Sequence, residues 1–105
     1  MRVLFEILDE EWRRLKDRIS RYQKEIEILP KGSISIKKRR EREYAYLNYR
    51  EKQTVNSKYL GEAKTKVVKE YREKIELRRK LEKGLREMRV DMKAIEKVLH
   101  ARRKK

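Results

Sequence analysis

Residues 44–61 read YAYLNYREKQTVNSKYLG, and how they alternate decides what kind of fold the chain can have. From Tyr44 to Arg50, and again from Thr54 to Leu60, side-chain character changes at every step. That is the two-residue repeat of an extended strand, not the 3.6-residue repeat of a helix. Both stretches are rich in β-branched and aromatic residues, which suit a pleated surface. SISIK at 33–37 repeats the pattern upstream. Three such segments joined by short polar connections predict a three-stranded antiparallel ribbon over residues 33–60, with turns at RRER (39–42) and EKQ (51–53). Neither turn contains the glycine or asparagine favoured in tight hairpins, so both rest on periodicity alone.

Register follows from asking what each face would hold. A three-residue loop at Glu51–Gln53 sets Tyr49 opposite Val55, Leu47 opposite Ser57 and Ala45 opposite Tyr59, with Ile34 and Ile36 on the same side. That apolar face should lie on helices. The other face then presents Tyr44, Tyr46, Asn48, Arg50, Thr54, Asn56 and Lys58, with the basic turn KKRRER (37–42) at one end. Aromatic faces stack on bases, while Arg, Lys and Asn contact phosphates and base edges. A β-ribbon also fits a DNA major groove. The expected nucleic-acid contacts are Lys37, Lys38, Arg39, Arg40, Arg42, Tyr44, Tyr46, Asn48, Arg50, Asn56 and Lys58. Exposed tyrosines that only shield a small sheet are the bland alternative.

Outside the ribbon the period changes. Phe5, Leu8, Trp12, Leu15, Ile19, Tyr22, Ile26 and Leu29 recur at alternating spacings of three and four, a heptad seam that predicts a helix over 5–29. Asp9 is a candidate N-cap, and Pro30 with Gly32 ends the helix. A second helix is expected over 62–103. Its later half carries Leu81, Leu85, Met88, Met92, Ile95 and Leu99. Its earlier half carries Val67, Val68, Tyr71 and Ile75 on a stripe that continues into Arg78 and Glu82. The two stripes are out of phase beside Gly84, which suggests a kink or a change of packing partner at 78–84. The first helix is too short to cover all of the second, so the Leu81–Leu99 seam should recruit a second chain, or fold back at Gly84.

Bulk properties fit this layout. Charged residues make up 49% of the 105, apolar ones 37%, and mean hydropathy is −1.14. Such a chain builds thin amphipathic elements rather than a thick core. The net charge of +15 is zoned: residues 1–30 are neutral, 31–60 carry +6 and 61–105 carry +9. Zoning of this kind points to a polyanion on one side. With no cysteine, disulfides and thiolate metal sites are excluded, and a reducing cytoplasm is the expected setting. Abundant Lys, Arg and Glu resemble thermophile composition. No apolar run approaches the roughly 18 residues of a membrane span, and MRVLFEIL is too short a run for a signal peptide.

The pattern LPKGSISIKK…YAYLNYR…VNSKYLG, over residues 29–61, resembles small uncharacterised prokaryotic proteins that place a tyrosine-rich ribbon between an N-terminal helix and a long charged helix. The hairpin alone is similar to N-terminal segments of some transposases. The resemblance implies DNA and a mobile-element or defence context, and it brings no catalytic residues. EKQ stands here where glycine is usual in that loop.

Catalytic signals are missing. His100 stands alone near the C-terminus, the three glycines are isolated, and carboxylates are diluted among Lys and Arg as helix-surface pairs. No metal, cofactor or small-molecule substrate is expected, and the chain does not read as an enzyme. The sequence therefore predicts one α+β domain over 1–105: N-terminal helix, three-stranded antiparallel ribbon, and a long C-terminal helix in antiparallel coiled-coil packing. Its expected function is nucleic-acid binding, DNA ahead of RNA, as a homo-oligomer joined through the C-terminal helix. A coiled-coil scaffold or toxin–antitoxin component is the alternative.

Overall fold

The computed structural model describes residues 2–103. Helix α1 (Arg2–Glu27) leads into strands β1 (Ser33–Arg39), β2 (Arg42–Glu51) and β3 (Thr54–Glu62), and helix α2 (Lys66–Arg103) follows. The strands form one antiparallel sheet in the order β1-β2-β3, so the chain is α+β. Two compact units divide it: α1 with α2 from Lys80 onward, and Ile28–Arg79. Helix α2 is continuous through 78–84, and the division falls in that interval.

Element ends differ from the sequence expectation for local reasons. Helix α1 starts at Arg2, so Asp9 lies inside it rather than capping it. Strand β3 runs on to Glu62, where Ala63 N–H donates to the Glu43 carbonyl at 3.0 Å and prolongs the ladder. The helix then waits for Thr65, whose carbonyl accepts from Lys69 N–H at 3.2 Å as the first turn closes.

In the helical unit, Arg102 lies 4.5 Å above the Phe5 ring, Trp12 Nε1 donates to Glu96 Oε1 at 3.0 Å, and the Tyr22 ring rests on Gly84. Residue numbers rise on α1 as they fall on α2, so the helices pair antiparallel. Leu15 and Ile26 are buried on one side, and Leu81, Leu85, Met88 and Leu99 on the other. The Leu81–Leu99 seam, expected to recruit a second chain or to fold back at Gly84, is instead covered by α1 of the same chain. At 26 residues, or about 39 Å, α1 is long enough for all of α2 beyond Lys80.

In the unit Ile28–Arg79, Ala45 and Leu47 of β2 are buried, as are Val68 and Ile75 of α2. The ammonium of Lys58 on β3 lies 3.4 Å from the Tyr71 hydroxyl, which identifies the sheet face turned to this helix. Arg78 interrupts the apolar stripe because it serves the backbone: its Nη1 donates to the Leu29 carbonyl at 2.6 Å, and Arg79 Nη2 donates to Gly32 O at 3.3 Å. The turn around Pro30 leaves carbonyls without helical partners, and two guanidinium groups take them. Gly32 itself has φ 113°, and a Cβ there would collide with the Asn48 carbonyl.

The strand connections are both two-residue loops. Arg39 pairs with Arg42 around Arg40–Glu41, and Glu51 pairs with Thr54 around Lys52–Gln53. Lys52 and Gln53 both take positive φ, 47° and 71°, as a type I′ turn requires. The three-residue loop expected from the sequence is therefore replaced by a shorter one. Side chains with a Cβ are strained in this region by roughly 1 kcal/mol each.

Two stability predictions follow from these contacts. Replacing Lys52-Gln53 by Asn-Gly should raise stability by about 1–2 kcal/mol, because both residues then fit their dihedral angles; no gain in a urea melt would mean that the loop is not type I′. At Gly84 two effects oppose. Alanine gains about 1 kcal/mol of helix propensity, but its Cβ would lie 3.0 Å from Tyr22 Cε2. Gly84→Ala should therefore stabilise a Tyr22→Ala background more than the parent. Equal effects in the two backgrounds, by thermal melts, would show that Tyr22 does not rest on the glycine.

Candidate nucleic-acid interface

The two-residue turn at Lys52–Gln53 decides which side chains share the open face of the sheet. Side chains of directly paired residues point to the same side, and one step of slip inverts a whole strand. The observed pairs are Arg50↔Val55, Tyr49↔Asn56, Asn48↔Ser57, Leu47↔Lys58 and Tyr46↔Tyr59. Compared with the expected register, β3 is turned over. Asn56 and Lys58, expected on the outer face, lie on the side of Ala45, Leu47 and α2, while Val55 and Tyr59, expected inside, face out. Val55 is 66% exposed and Tyr59 55%. Thr54 also changes sides, since it pairs with Glu51.

Strand β2 keeps its expected orientation. Ile34↔Leu47 and Ile36↔Ala45 put the β1 isoleucines on the inner side, and Lys37↔Tyr44, Ser35↔Tyr46 and Arg39↔Arg42 put the other set outside. A β-bulge then adds a geometric detail. Tyr46 pairs with Tyr59, but Ala45 pairs with Gly61, leaving Leu60 as the extra residue. Gly61 at φ 124° allows this. The bulge brings Tyr59 within reach of two rings of β2.

A tyrosine cluster results. Ring centroids of Tyr46 and Tyr59 are 5.4 Å apart at 53°, and those of Tyr44 and Tyr59 are 6.2 Å apart at 52°. These are tilted aromatic contacts of ordinary favourable geometry. Lys37 Nζ lies 4.8 Å above the Tyr46 ring. A shallow depression is lined by Arg39, Arg40, Tyr44, Tyr46 and Tyr59. Arg40 reaches it from the first turn, where its own φ is 58°. The arrangement joins aromatic surface to cations without a buried charge.

A family model described as a domain of unknown function (DUF6788) matches residues 8–73. The chain belongs to this family. The matched segment holds most of α1, the whole sheet with its tyrosine cluster, and the first turns of α2. No curated protein and no solved structure matches the chain, and no transposase similarity is shown.

Within the family segment, the residues expected at the interface fall into three groups. Lys37, Arg39, Arg40, Tyr44 and Tyr46 converge. Arg42, Asn48 and Arg50 share the outer face but are otherwise placed: Arg42 pairs with Glu62 at 3.5 Å, Asn48 Nδ2 donates to Ser35 Oγ at 2.8 Å, and Arg50 stands opposite Val55. Lys38 pairs with Glu43 on the other side, along with Asn56 and Lys58. Tyr59 is the residue the sequence expectation missed. Its signal was available, because a two-residue loop sets Tyr59 opposite Tyr46 and cross-strand aromatic pairs are favourable. Among the described residues no group of three His, Cys, Asp or Glu could hold a metal ion, and no helix is long and apolar enough to cross a membrane.

Proposed function

We propose that the chain binds nucleic acid, DNA ahead of RNA, through the outer face of its sheet. Lys37, Arg39 and Arg40 would contact phosphates, and Tyr44, Tyr46 and Tyr59 would meet bases or sugars. The cluster of three outward tyrosines with cations at its rim carries this reading. Charge zoning supports it, since the ribbon carries +6 while residues 1–30 are neutral. The activity is binding without catalysis, in the reducing cytoplasm that a cysteine-free, Lys- and Glu-rich chain suits.

A second reading, a protein-interaction module, is favoured by one observation. Val3, Leu4 and Ile7 on α1 and Val90 and Val98 on α2 are exposed. Leu4 and Val98 each directly precede a seam residue, and such positions share one flank of an antiparallel helix pair. The occupant that fits is a second copy, because the neutral α1 minimises like-charge repulsion there.

Salt titration tests the first reading. The logarithm of affinity should fall linearly with that of salt, and changing Lys37, Arg39 and Arg40 together to Gln should reduce the slope by about 2–3. Lys58→Gln, on the inner face, should leave it unchanged. Fluorescence anisotropy at increasing KCl measures both, and an unaltered slope in the triple variant would remove the outer face from the contact. Sedimentation velocity tests the second: a dimer should dissociate on Ile7→Lys, and a parent that is monomeric at high concentration defeats self-association.

A further inference from the structure

We infer that the outer face takes an unpaired base of a single strand, stacked on Tyr59, in preference to a duplex. This rests on the nucleic-acid reading above and names the ligand of that same site. Of the three rings, Tyr46 already has an ammonium over it, Lys37 Nζ at 4.8 Å. Tyr44 is half-buried beside Tyr59. Tyr59 is 55% exposed, and with Tyr44 and Tyr46 tilted against it at 52° and 53° it keeps open surface toward the depression. Arg39 and Arg40 line the same depression. A nucleotide needs this pairing: an aromatic surface for its base and a cation for its phosphate.

A duplex would use the face poorly. Its base faces are covered by neighbouring bases, so tyrosine rings meet only edges and sugars, and sequence must be read by hydrogen-bonding groups. The central amide of the face, Asn48, already donates to Ser35 at 2.8 Å. The amide and ammonium that would have enriched such a reader, Asn56 and Lys58, point to the inner side. Flipping β3 thus exchanges two polar side chains for Tyr59 and Val55, and moves the face from edge reading towards stacking.

The test compares strands of equal charge. An oligothymidine, an oligouridine and an abasic oligodeoxynucleotide of one length, and a duplex of half that length, are titrated against the full chain over one series of salt concentrations. The base-bearing single strands should bind roughly 5- to 150-fold more tightly than the abasic strand, the equivalent of one stacked base, and more tightly than the duplex. Whichever of oligothymidine and oligouridine binds tighter assigns the source to DNA or to RNA, and either sustains the stacked base. Tyr59→Leu should abolish the advantage over the abasic strand with the salt slope unchanged, and Tyr59→Phe should keep it; a thermal melt confirms that both fold. If the abasic strand or the duplex binds as well as the base-bearing strands, the stacked base is overturned while nucleic-acid binding stands. If none of the four binds, both fail together.

Discussion

Everything at the outer face depends on two backbone dihedral angles. Lys52 and Gln53 accept positive φ, and the β2–β3 loop closes in two residues. A loop one residue longer would turn β3 over, putting Tyr59 beside Ala45 and sending Asn56 and Lys58 outside. The turn is strained for residues with a Cβ, so it needs support from pairing further along the strands. Leu47 at 6% exposure and Ala45 at 0% supply some of it, because the β2 inner positions leave no alternative for the central strand. The inner face of β3 decides less, since it offers Asn56 and Lys58 rather than apolar residues. Lys58 lies along the Tyr71 ring with its ammonium 5.8 Å from the centroid, a long apolar stem over an aromatic surface. Hydrophobic sorting therefore fixes β1 and β2, and turn geometry fixes β3.

That division explains what could be read from the sequence. The heptad seam of α1 was legible because seven apolar residues from Phe5 to Ile26 repeat without a break and none of them is exposed. Leu29, the eighth expected, lies beyond the helix end at Glu27. Three strands and the inner face of β2 were legible from alternation. Strand β3 was not, because Thr54–Leu60 alternates weakly: either set of side chains can be called the polar one. Sorting Val55 and Tyr59 inward looked correct for residues of that type, yet a small sheet covered on one side by a single helix has too little inner surface for them. Their places inside are taken by the amide of Asn56 and the stem of Lys58. The aromatic pair Tyr46–Tyr59 was the better guide, since it trades burial for a ring-on-ring contact.

Helix α2 shows a different limit. Its two apolar stripes differ in phase, and periodicity alone cannot say whether a helix bends or changes what it touches. The Val68–Ile75 stripe belongs with the sheet, and the stripe from Leu81 with α1. Gly84 marks no turn, since helix α2 runs through it. It gives the Tyr22 ring room to approach the helix backbone, a tertiary reason that no local pattern reveals. Arg78 is similar. A guanidinium in a hydrophobic stripe looks like a fault until the Leu29 carbonyl at 2.6 Å is seen to be its partner.

The arrangement of charge is the last feature the fold itself leaves unexplained. Lys37, Arg39, Arg40 and Arg42 crowd the end of one small sheet, and only Arg42 has an acidic partner at ion-pair distance among the described residues, Glu62. Like charges so close repel, and exposed pairs are worth too little to offset this. A cation over Tyr46 recovers part of the cost, since a ring face attracts the Lys37 ammonium. Arg40 adds strain to repulsion, for it carries its charge on a residue at φ 58° where asparagine or glycine would sit more easily. Neither the hairpin nor the packing of Ala45 and Leu47 requires an arginine at that place. On the proposed reading, this strained, repelled cation at the mouth of an aromatic depression would be stabilised most by an anion with a flat face, which answers the rings and the charges together.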